Sequence, residues 1–329
     1  MQSYSYQDKV FTFEGCISVK QTADWVMPWR IDCERLDLYP GLTERASEST
    51  GVRLVFSTSS LELALELEEP ASDMKVDLFV DGLFIQEAKV DPTSNQIVFN
   101  MLPPGNKDIE IWLDHRYQTK LKRVLTEPGA KIGILPQVSV KKNRWIHYGS
   151  SISQAKEAES ASKIWTGMVA QRLGLNLTNL GFAGECKLDP MIARLIRDLP
   201  ADFISLEVGI NIYDGDLTER TFTANLIGAI QIIKEKHYRT PLTIISPIFS
   251  PPREDVKGNS GMSLKDIRAI VADVVQRFNS REETKIQYID GHKLFGINES
   301  QYLPDELHPD AGGQFILAIN FIKEVFGSK

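Results

Sequence analysis

Two short segments in the second half of the chain carry side chains that could relay a proton to and from a serine hydroxyl. A turn of small residues, GSSIS at residues 149–153, could present a hydroxyl as a nucleophile. In DELHP at residues 305–309, Asp305 precedes His308 by three residues. A carboxylate at this spacing can accept the Nδ1 proton of the imidazole, which leaves Nε2 free to take the serine proton.

Two further segments could supply hydrogen-bond donors to a negatively charged oxygen. The run NLGFAGE at residues 179–185 contains glycines that allow a backbone N–H to turn toward an anion. The run GIN at residues 209–211 ends in Asn211, whose side-chain N–H could reach the same point. A pair of such neutral donors is what a tetrahedral oxyanion requires.

Each of the four segments also has a purely structural explanation. A serine-rich turn can cap a helix, and glycines are common between a strand and a helix. An asparagine after a glycine is usually a turn residue, and Asp305 with His308 could be a helix-start carboxylate beside a surface histidine. The prediction of an acyl-transfer site therefore depends on all four segments occurring together in the required order.

The four segments follow predicted strands of a parallel sheet. After about residue 143, apolar runs typical of buried parallel strands alternate with segments of helical periodicity. The predicted strands are Trp145–Tyr148, Leu175–Leu180, Phe203–Val208, Leu242–Pro247 and Ile286–Ile289, and the predicted helices are Ile164–Leu173, Pro190–Leu199, Thr221–Lys236, Leu264–Phe278 and Gln314–Val325. This alternation predicts a doubly wound, three-layer α/β domain whose ligands bind at the carboxyl ends of the strands.

The first 140 residues show a different periodicity. Apolar and polar residues alternate in short runs such as Val52–Ser57, Leu61–Leu67 and Lys75–Val80, which predicts strands with one buried face. Turn residues follow at Asp81-Gly82 and at 103–106 (PPGN), where hairpins are expected. We therefore predict an antiparallel β-sandwich, similar to a jelly roll, over residues 1–140 and the α/β domain over residues 141–329.

The charge of the chain argues against nucleic acid as a partner. The formal net charge is −7, whereas nucleic-acid-binding proteins usually present a basic face that neutralises phosphates. The short basic cluster of Lys141, Lys142 and Arg144 is too small for a typical basic motif and is interpreted as a solvated linker.

The sequence also indicates neither a membrane segment nor a metal site. No uninterrupted apolar run of about 18 residues is present, and the start of the chain lacks a basic segment followed by an apolar one. We therefore expect a cytoplasmic location, although removal of a signal peptide would leave the same appearance. The histidines and the three cysteines form no ligand-spaced cluster, so we predict no metal and no cofactor. The oligomeric state is left open.

The order GSSIS, NLGFAG, GIN and DxxHP resembles the four blocks of the SGNH (GDSL-like) hydrolases, which have a three-layer flavodoxin-like fold. More closely, residues 144–153, 179–189 and 199–211 resemble the branch with an N-terminal GxDLY sandwich domain, which includes a salicylyl acyltransferase. This resemblance implies Ser151 as the nucleophile, Asp305 and His308 as the remaining triad, and the N–H groups of Ser151 and Gly184 with the Asn211 side chain as the oxyanion hole.

Three positions depart from the usual motifs of this family. Ser150 stands where the usual motif has Asp, a departure that the closer branch shares. Ile212 follows Asn211 where many relatives have Asp. In the run RLDLY at residues 35–39, Arg35 replaces the glycine of GxDLY, which puts the local turn in question.

Other polar and aromatic side chains near the strand ends allow two interpretations each. His147 could line an acyl pocket, but an interior, hydrogen-bonded histidine is the better-supported interpretation. Phe182, Tyr213 and Phe249 follow strand ends and could wall the pocket, and core packing explains them equally well. Glu207 lies in an apolar run, where an unpaired charge would be costly, so it requires a hydrogen-bond partner.

The resulting hypothesis is a serine esterase that forms an acyl-enzyme. The resemblance implies small acyl groups such as acetyl, carried by a sugar or another hydroxylated small molecule. One alternative is an acyltransferase that passes the acyl group to an alcohol, and exclusion of water would decide between the two. An alternative of another class is a non-catalytic carbohydrate-binding protein, against which the intact set of Ser151, Asn211, Asp305 and His308 argues.

Overall fold

The structure is a computed structural model that describes residues 1–135, 142–281 and 285–327. The chain divides into two compact units. The sandwich unit comprises Met1–Leu36, Thr43–Lys142 and Ser160–Ser162, and the α/β unit comprises Asp37–Leu42, Asn143–Glu159 and Lys163–Lys329. The predicted boundary between residues 140 and 141, and Lys141 of the basic cluster, lie outside the described residues. Of the other two members of that cluster, Lys142 pairs with Glu110 and Arg144 with Asp202.

The described part of the sandwich unit is built from short strands and one short helix. These elements are β1 (Gln2–Tyr4), β2 (Thr12–Glu14), β3 (Ser18–Gln21), β4 (Val26–Trp29), α1 (Thr43–Ser47), β5 (Arg53–Thr58), β6 (Leu63–Leu67), β7 (Lys75–Val80), β8 (Leu83–Lys89), β9 (Gln96–Phe99), β10 (Lys107–Trp112), β11 (Leu121–Thr126) and β12 (Ile132–Gly133). One sheet has the order β3-β4-β11-β6-β9 with β1 beside β11, and the other has the order β12-β5-β10-β7-β8 with β2 beside β5.

Both sheets are antiparallel, as the period-two pattern predicts, and they share one core. Leu65 and Phe99 come from the first sheet, and Phe56, Leu78 and Ile109 come from the second; all five are fully buried. Alternate residues of a strand point to opposite faces, so each strand presents one apolar row to this core.

The two turn signals in this unit have different outcomes. Asp81 and Gly82 both have positive φ, 51° and 79°, and they close the β7–β8 hairpin as predicted. The turn at residues 103–106 connects β9 to β10, which lie in different sheets, so the predicted hairpin there is wrong. Turn residues specify a change of chain direction, whereas the pairing of the following strand depends on which sheet receives its apolar face.

The α/β unit contains a five-stranded parallel sheet covered by helices. Its described elements are β13 (Asn143–Gly149), α2 (Ser151–Gln154), α3 (Trp165–Leu173), β14 (Leu175–Gly181), α4 (Pro190–Asp198), β15 (Phe203–Glu207), α5 (Glu219–Lys234), β16 (Leu242–Ile245), α6 (Leu264–Asn279), β17 (Ile286–Ile289), α7 (Gly291–Leu294) and α8 (Ala311–Phe321). The sheet order is β14-β13-β15-β16-β17, all parallel. The predicted α/β fold and the parallel strands are confirmed.

This strand order has a consequence for ligand binding. In order along the chain the strands lie 2-1-3-4-5 across the sheet, so the connections leave β13 and β15 in opposite directions. Such a switch point opens a crevice at the carboxyl ends of the two strands, where doubly wound proteins bind ligands. The GSSIS and GIN segments follow these two strands directly.

Helix boundaries in this unit largely follow local sequence signals. Ser263 caps α6, with its Oγ accepting from the Asp266 N–H and the Asp266 carboxylate accepting from Ser263, which is the predicted capping box. The last helix is α8, followed by a π-helical turn, Ile322–Phe326. Among the described residues, no helix combines the length and apolar character needed to cross a bilayer.

Candidate active site

The serine-rich segment forms a tight turn from β13 into α2. Ser151 is the first residue of α2, and Ser150 is its N-cap, with the Ser150 Oγ accepting from the Ile152 N–H at 3.2 Å. A Cβ on Gly149 would lie 2.2 Å from Ser153 Oγ, so only glycine fits before the turn. The capping role considered for these serines therefore belongs to Ser150, and the Ser151 hydroxyl is left for other contacts.

The histidine and aspartate of the DELHP segment meet the Ser151 hydroxyl. His308 Nε2 lies 2.9 Å from Ser151 Oγ, and His308 Nδ1 lies 2.6 Å from Asp305 Oδ2. Asp305 Oδ1 accepts from the N–H groups of Leu307 and His308 at 3.0 and 2.7 Å. Burial alone would raise the pKa of Asp305, but the hydrogen bonds from His308 and Leu307 outweigh it, so the pKa lies below its ordinary value.

The loop that carries this pair is held by hydrogen bonds from Ser250 and from Gln314 of α8. Glu306 has a φ of 63°, and its carbonyl accepts from the Ser250 Oγ at 2.7 Å. Ser250 Oγ in turn accepts from Arg253 Nη1 at 2.9 Å, and Gln314 Nε2 donates to the Pro309 carbonyl at 3.2 Å. Sequence reasoning missed these supporting residues, because no local pattern marks them.

The Gly184 turn and Asn211 lie beside the nucleophile turn. Gly184 has a φ of 77°, and the adjacent Ala183 N–H donates to Gln154 Oε1 of α2 at 2.7 Å. Asn211 Oδ1 accepts from the Cys186 N–H at 3.0 Å, which fixes the amide so that Nδ2 is the outward donor. Three donors of this region make no hydrogen bond to the described part of the protein: Asn211 Nδ2 and the N–H groups of Ser151 and Gly184.

The position of Asn211 depends on the glycine two residues before it. Gly209 has a φ of 114°, and a Cβ there would lie 2.6 Å from the Ile267 Cγ2 atom. Only glycine combines this backbone conformation with this contact. The chain can therefore turn sharply after β15 and present Asn211 in a short 3₁₀ helix, Ile210–Ile212.

The four aromatic and imidazole candidates for the pocket occupy different environments. His147 is fully buried and hydrogen-bonded to Ser205 and Ser153, which agrees with the interior interpretation and not with a pocket wall. Phe182 is also fully buried and packs against Tyr148.

The remaining two candidates, Tyr213 and Phe249, are half-buried. Phe249 lines a cavity of about 560 Å³ with Glu254, Arg268 and His292, and this cavity does not contain the triad. The ring of Tyr213 packs under the Arg253 guanidinium, 5.8 Å from ring centroid to carbon. Tyr213 is thus the candidate that stays beside the GIN segment.

The DLY part of the RLDLY segment belongs to the α/β unit. Asp37–Leu42 clusters with this unit, and Tyr39 and Leu42 are buried. Gly41, with a φ of 78°, approaches Glu185 so closely that a Cβ would lie 3.2 Å from its Oε2 atom. The segment therefore packs against the residue that follows Gly184.

Profiles of known protein families cover most of the chain. Residues 11–122 match the N-terminal domain of SsfX3, and residues 142–322 match the GDSL-like lipase/acylhydrolase family. The chain belongs to the GDSL-like lipase/acylhydrolase family. A comparison with curated protein sequences found no match.

Solved structures agree with this family membership. The salicylyl-acyltransferase SsfX3 from a tetracycline biosynthetic pathway has 33% identity and a TM-score of 0.90, over 100% of this chain and 99% of that one. A putative GDSL-like lipase from Bacteroides ovatus has 17% identity and a TM-score of 0.80, over 100% and 98%. The acetyl xylan esterase Est2A from Butyrivibrio proteoclasticus has 12% identity and a TM-score of 0.62, over 99% and 98%. This GDSL-like protein is an SGNH hydrolase or acyltransferase, so the non-catalytic alternative is set aside.

Proposed function

We propose that this GDSL-like protein is a serine esterase in which Ser151 attacks small acyl esters. The observation that carries the proposal is the pair of hydrogen bonds that joins Asp305, His308 and Ser151. The Asp305 Oδ2–His308 Nδ1 distance is 2.6 Å, and the His308 Nε2–Ser151 Oγ distance is 2.9 Å. A nucleophile bonded to a base, and a base bonded to an orienting group, form the arrangement that activates a serine hydroxyl.

In this mechanism the Ser151 Oγ attacks the carbonyl carbon of the ester while His308 Nε2 takes its proton. Asp305 holds the imidazole by its Nδ1 proton and stabilises the imidazolium. The carbonyl oxygen becomes an oxyanion, and the Ser151 and Gly184 N–H groups with Asn211 Nδ2 donate to it. His308 then returns the proton to the leaving alcohol, and the acyl group stays on Ser151.

Release of the acyl group repeats these steps with a second nucleophile. His308 removes a proton from water, the hydroxide oxygen attacks the acyl carbon, and Ser151 recovers its proton as the acid leaves. The side chains of Asp305 and His308 are 54% and 21% exposed within the structure, which supports access of water to the acyl-enzyme. We propose acetyl-type groups on a sugar or similar hydroxylated molecule as substrates, in line with the name of the acetyl xylan esterase that shares the fold.

A second candidate function is acyl transfer to an alcohol. It is favoured by the 33% identity over the full length to a salicylyl-acyltransferase. The acyl-enzyme would be the same, and an acceptor hydroxyl would take the place of water. Tyr213, two residues after Asn211 and half-buried, is our candidate for the wall that meets the acyl group or the acceptor.

The nucleophile is tested with a serine-directed phosphonate followed by mass spectrometry of the adduct. We expect labelling at Ser151, and we expect the Ser151→Ala variant to be neither labelled nor active on p-nitrophenyl acetate. The matched control is Ser263→Ala, which removes a hydroxyl at the N-cap of α6 and should still be labelled. An adduct on any residue other than Ser151, or full esterase activity in Ser151→Ala, would contradict the proposal.

Hydrolysis and transfer are separated by offering acceptors to the acyl-enzyme. With p-nitrophenyl acetate as the donor, the yields of acetate and of acetylated alcohol are measured over a range of sugar and aromatic alcohol concentrations. Acetate as the main product at every concentration supports the esterase. Acetylated alcohol as the main product at millimolar acceptor would replace it with the acyltransferase.

A further inference from the structure

Behind the nucleophile turn lies a buried carboxylate that the mechanism above does not use. Glu207 is the last residue of β15, and it is 2% exposed. Its Oε2 accepts from the Ser150 N–H at 2.9 Å, from the Ser150 Oγ at 2.8 Å and from the Ser153 Oγ at 3.1 Å. Ser150 and Ser153 lie on either side of Ser151 in the chain. The single Glu207 Oε2 atom therefore anchors the turn on both sides of the nucleophile.

The carboxylate is also the end of a longer buried row of hydrogen bonds. Trp145 Nε1 lies 2.8 Å from Ser205 Oγ, which lies 2.7 Å from His147 Nδ1, and His147 Nε2 lies 2.7 Å from Ser153 Oγ. Burial lowers the pKa of His147 to about 3, so the ring is neutral and carries one proton.

The direction of every bond in this row follows from its two ends. An indole can only donate and a carboxylate can only accept. Ser153 therefore gives its single hydroxyl proton to Glu207 and accepts from His147 Nε2, which carries the ring proton. His147 Nδ1 is then an acceptor, so Ser205 donates to it and accepts from Trp145. The hydrogen-bonded row therefore orients the Ser153 hydroxyl so that its only proton is donated to the Glu207 carboxylate.

Steric contacts restrict the same place. A Cβ on Gly149 would lie 2.2 Å from Ser153 Oγ and 2.9 Å from Glu207 Oε2. The backbone of Gly149 therefore lies close to the carboxylate, with no room for a side chain between them. Burial raises the pKa of Glu207, and the hydrogen bonds from Ser150 and Ser153 oppose that rise.

We propose that Glu207 is a positioning residue, which holds Ser151 against His308 by anchoring Ser150 and Ser153. This inference rests on the proposed function of Ser151. It also concerns one departure from the usual family motif. Where that motif has Asp, this chain has Ser150, and the Glu207 carboxylate from the neighbouring strand accepts from both its N–H and its Oγ.

The test compares Glu207→Leu and Glu207→Gln with a matched variant in the other unit, Asp77→Asn. Asp77 is also a fully buried carboxylate that accepts from a serine hydroxyl and a backbone N–H. For each purified variant, kcat and KM for p-nitrophenyl acetate, the rate of phosphonate labelling at Ser151 and the midpoint of urea unfolding are measured, with kcat expressed per labelled site.

A misplacement of reacting atoms by about 1 Å costs about 100-fold in rate, so we expect Glu207→Leu to lose about 100-fold in kcat and in labelling rate. KM should change by less than about threefold. Glu207→Gln keeps an acceptor oxygen and should lose about 10-fold. Asp77→Asn should lower the unfolding midpoint and leave kcat per labelled site unchanged.

Other outcomes separate this inference from the proposed function. If Ser151 of the unaltered protein is not labelled, the proposed function fails. If it is labelled, and Glu207→Leu folds and is labelled at the normal rate, only the role of Glu207 is overturned. Should Glu207→Leu not fold, Glu207→Gln, Ser153→Ala and the double variant replace it. If the double variant loses kcat by the product of the two single losses, Glu207 does not act through Ser153. If the double variant is no slower than the slower single variant, Glu207 does act through Ser153.

Discussion

Asp77 of the sandwich unit and Glu207 of the α/β unit show how one structural device serves different purposes. Each carboxylate is buried, and one of its oxygens accepts from a serine hydroxyl and a backbone N–H. The second oxygen of each has no hydrogen-bond partner among the described residues. Hydrogen bonds of this kind offset the cost of burying a carboxylate wherever it occurs.

What differs is the segment that each carboxylate anchors. Asp77 binds the segment Ser160–Ser162, which carries no part of the triad, whereas Glu207 binds the turn of Ser151. Glu207 ends a strand at the switch point of a parallel sheet, where the carboxyl ends of β13 and β15 adjoin. An antiparallel sheet sends alternate strand ends to opposite edges and gathers no such set of side chains.

The largest difference between the units should come from the triad itself. We expect His308→Ala to lower kcat by about 10⁴- to 10⁶-fold, because no other base among the described residues lies within hydrogen-bonding distance of Ser151 Oγ. Steady-state hydrolysis of p-nitrophenyl acetate measures this loss, with Asp77→Asn at unchanged kcat as the control. A loss below tenfold in His308→Ala would remove the contrast between the two units.

Removal of the Asn211 amide should have the next largest effect. We expect Asn211→Ala to lower kcat by about 10²- to 10³-fold with little change in KM, since the amide donates to an oxyanion that exists only in the transition state. Asn211→Asp should lose at least as much, because a carboxylate cannot donate. A rise in KM with kcat unchanged would instead indicate that the amide binds the substrate equally in the ground state.

A third prediction concerns acid stability. Since burial lowers the pKa of His147 to about 3, against about 6.5 in the unfolded chain, only the unfolded state binds this proton between those pH values. The free energy of unfolding therefore falls as the pH falls through this window, by about 2 kcal/mol at pH 5.

Urea unfolding between pH 4.5 and 8 measures this dependence. In His147→Gln, a neutral side chain that can still donate and accept, the decrease between pH 7 and pH 5 should be smaller by that amount. An identical pH dependence in His147→Gln and the unaltered protein would show that folding does not lower the pKa of His147.

The smallest effect is expected at a helix end of the α/β unit. Ser263→Ala removes the cap of α6 and should lower the free energy of unfolding by about 1 kcal/mol, with kcat unchanged. Urea unfolding at pH 7 and steady-state kinetics check the two parts. A clear fall in kcat would show that α6 contributes to catalysis. Ser263 would then count as a positioning residue and not as a purely structural one.

Much of the fold could be predicted because the relevant signals are local. The alternation at residues 75–80 and the turn residues Asp81 and Gly82 lead to the observed β7–β8 hairpin. The capping box of Ser263 and Asp266 was predicted for the same reason. The turn at residues 103–106 failed as a hairpin, because the sheet that accepts β10 is chosen by packing against strands far away in the chain.

The amino-acid sequence by itself determined which segments become strands and which turns follow them, and so it placed Ser151, Gly184 and Asn211 just after strands and His308 just before the last helix. These are properties of neighbouring residues. Only the tertiary structure decided the partners: Ser250 with Glu306, 56 residues apart, and Glu207 with Ser150, 57 residues apart. The physical reason is that a hydrogen bond over such a separation depends on the order 2-1-3-4-5 of the sheet, which the periodicity of any single segment does not contain.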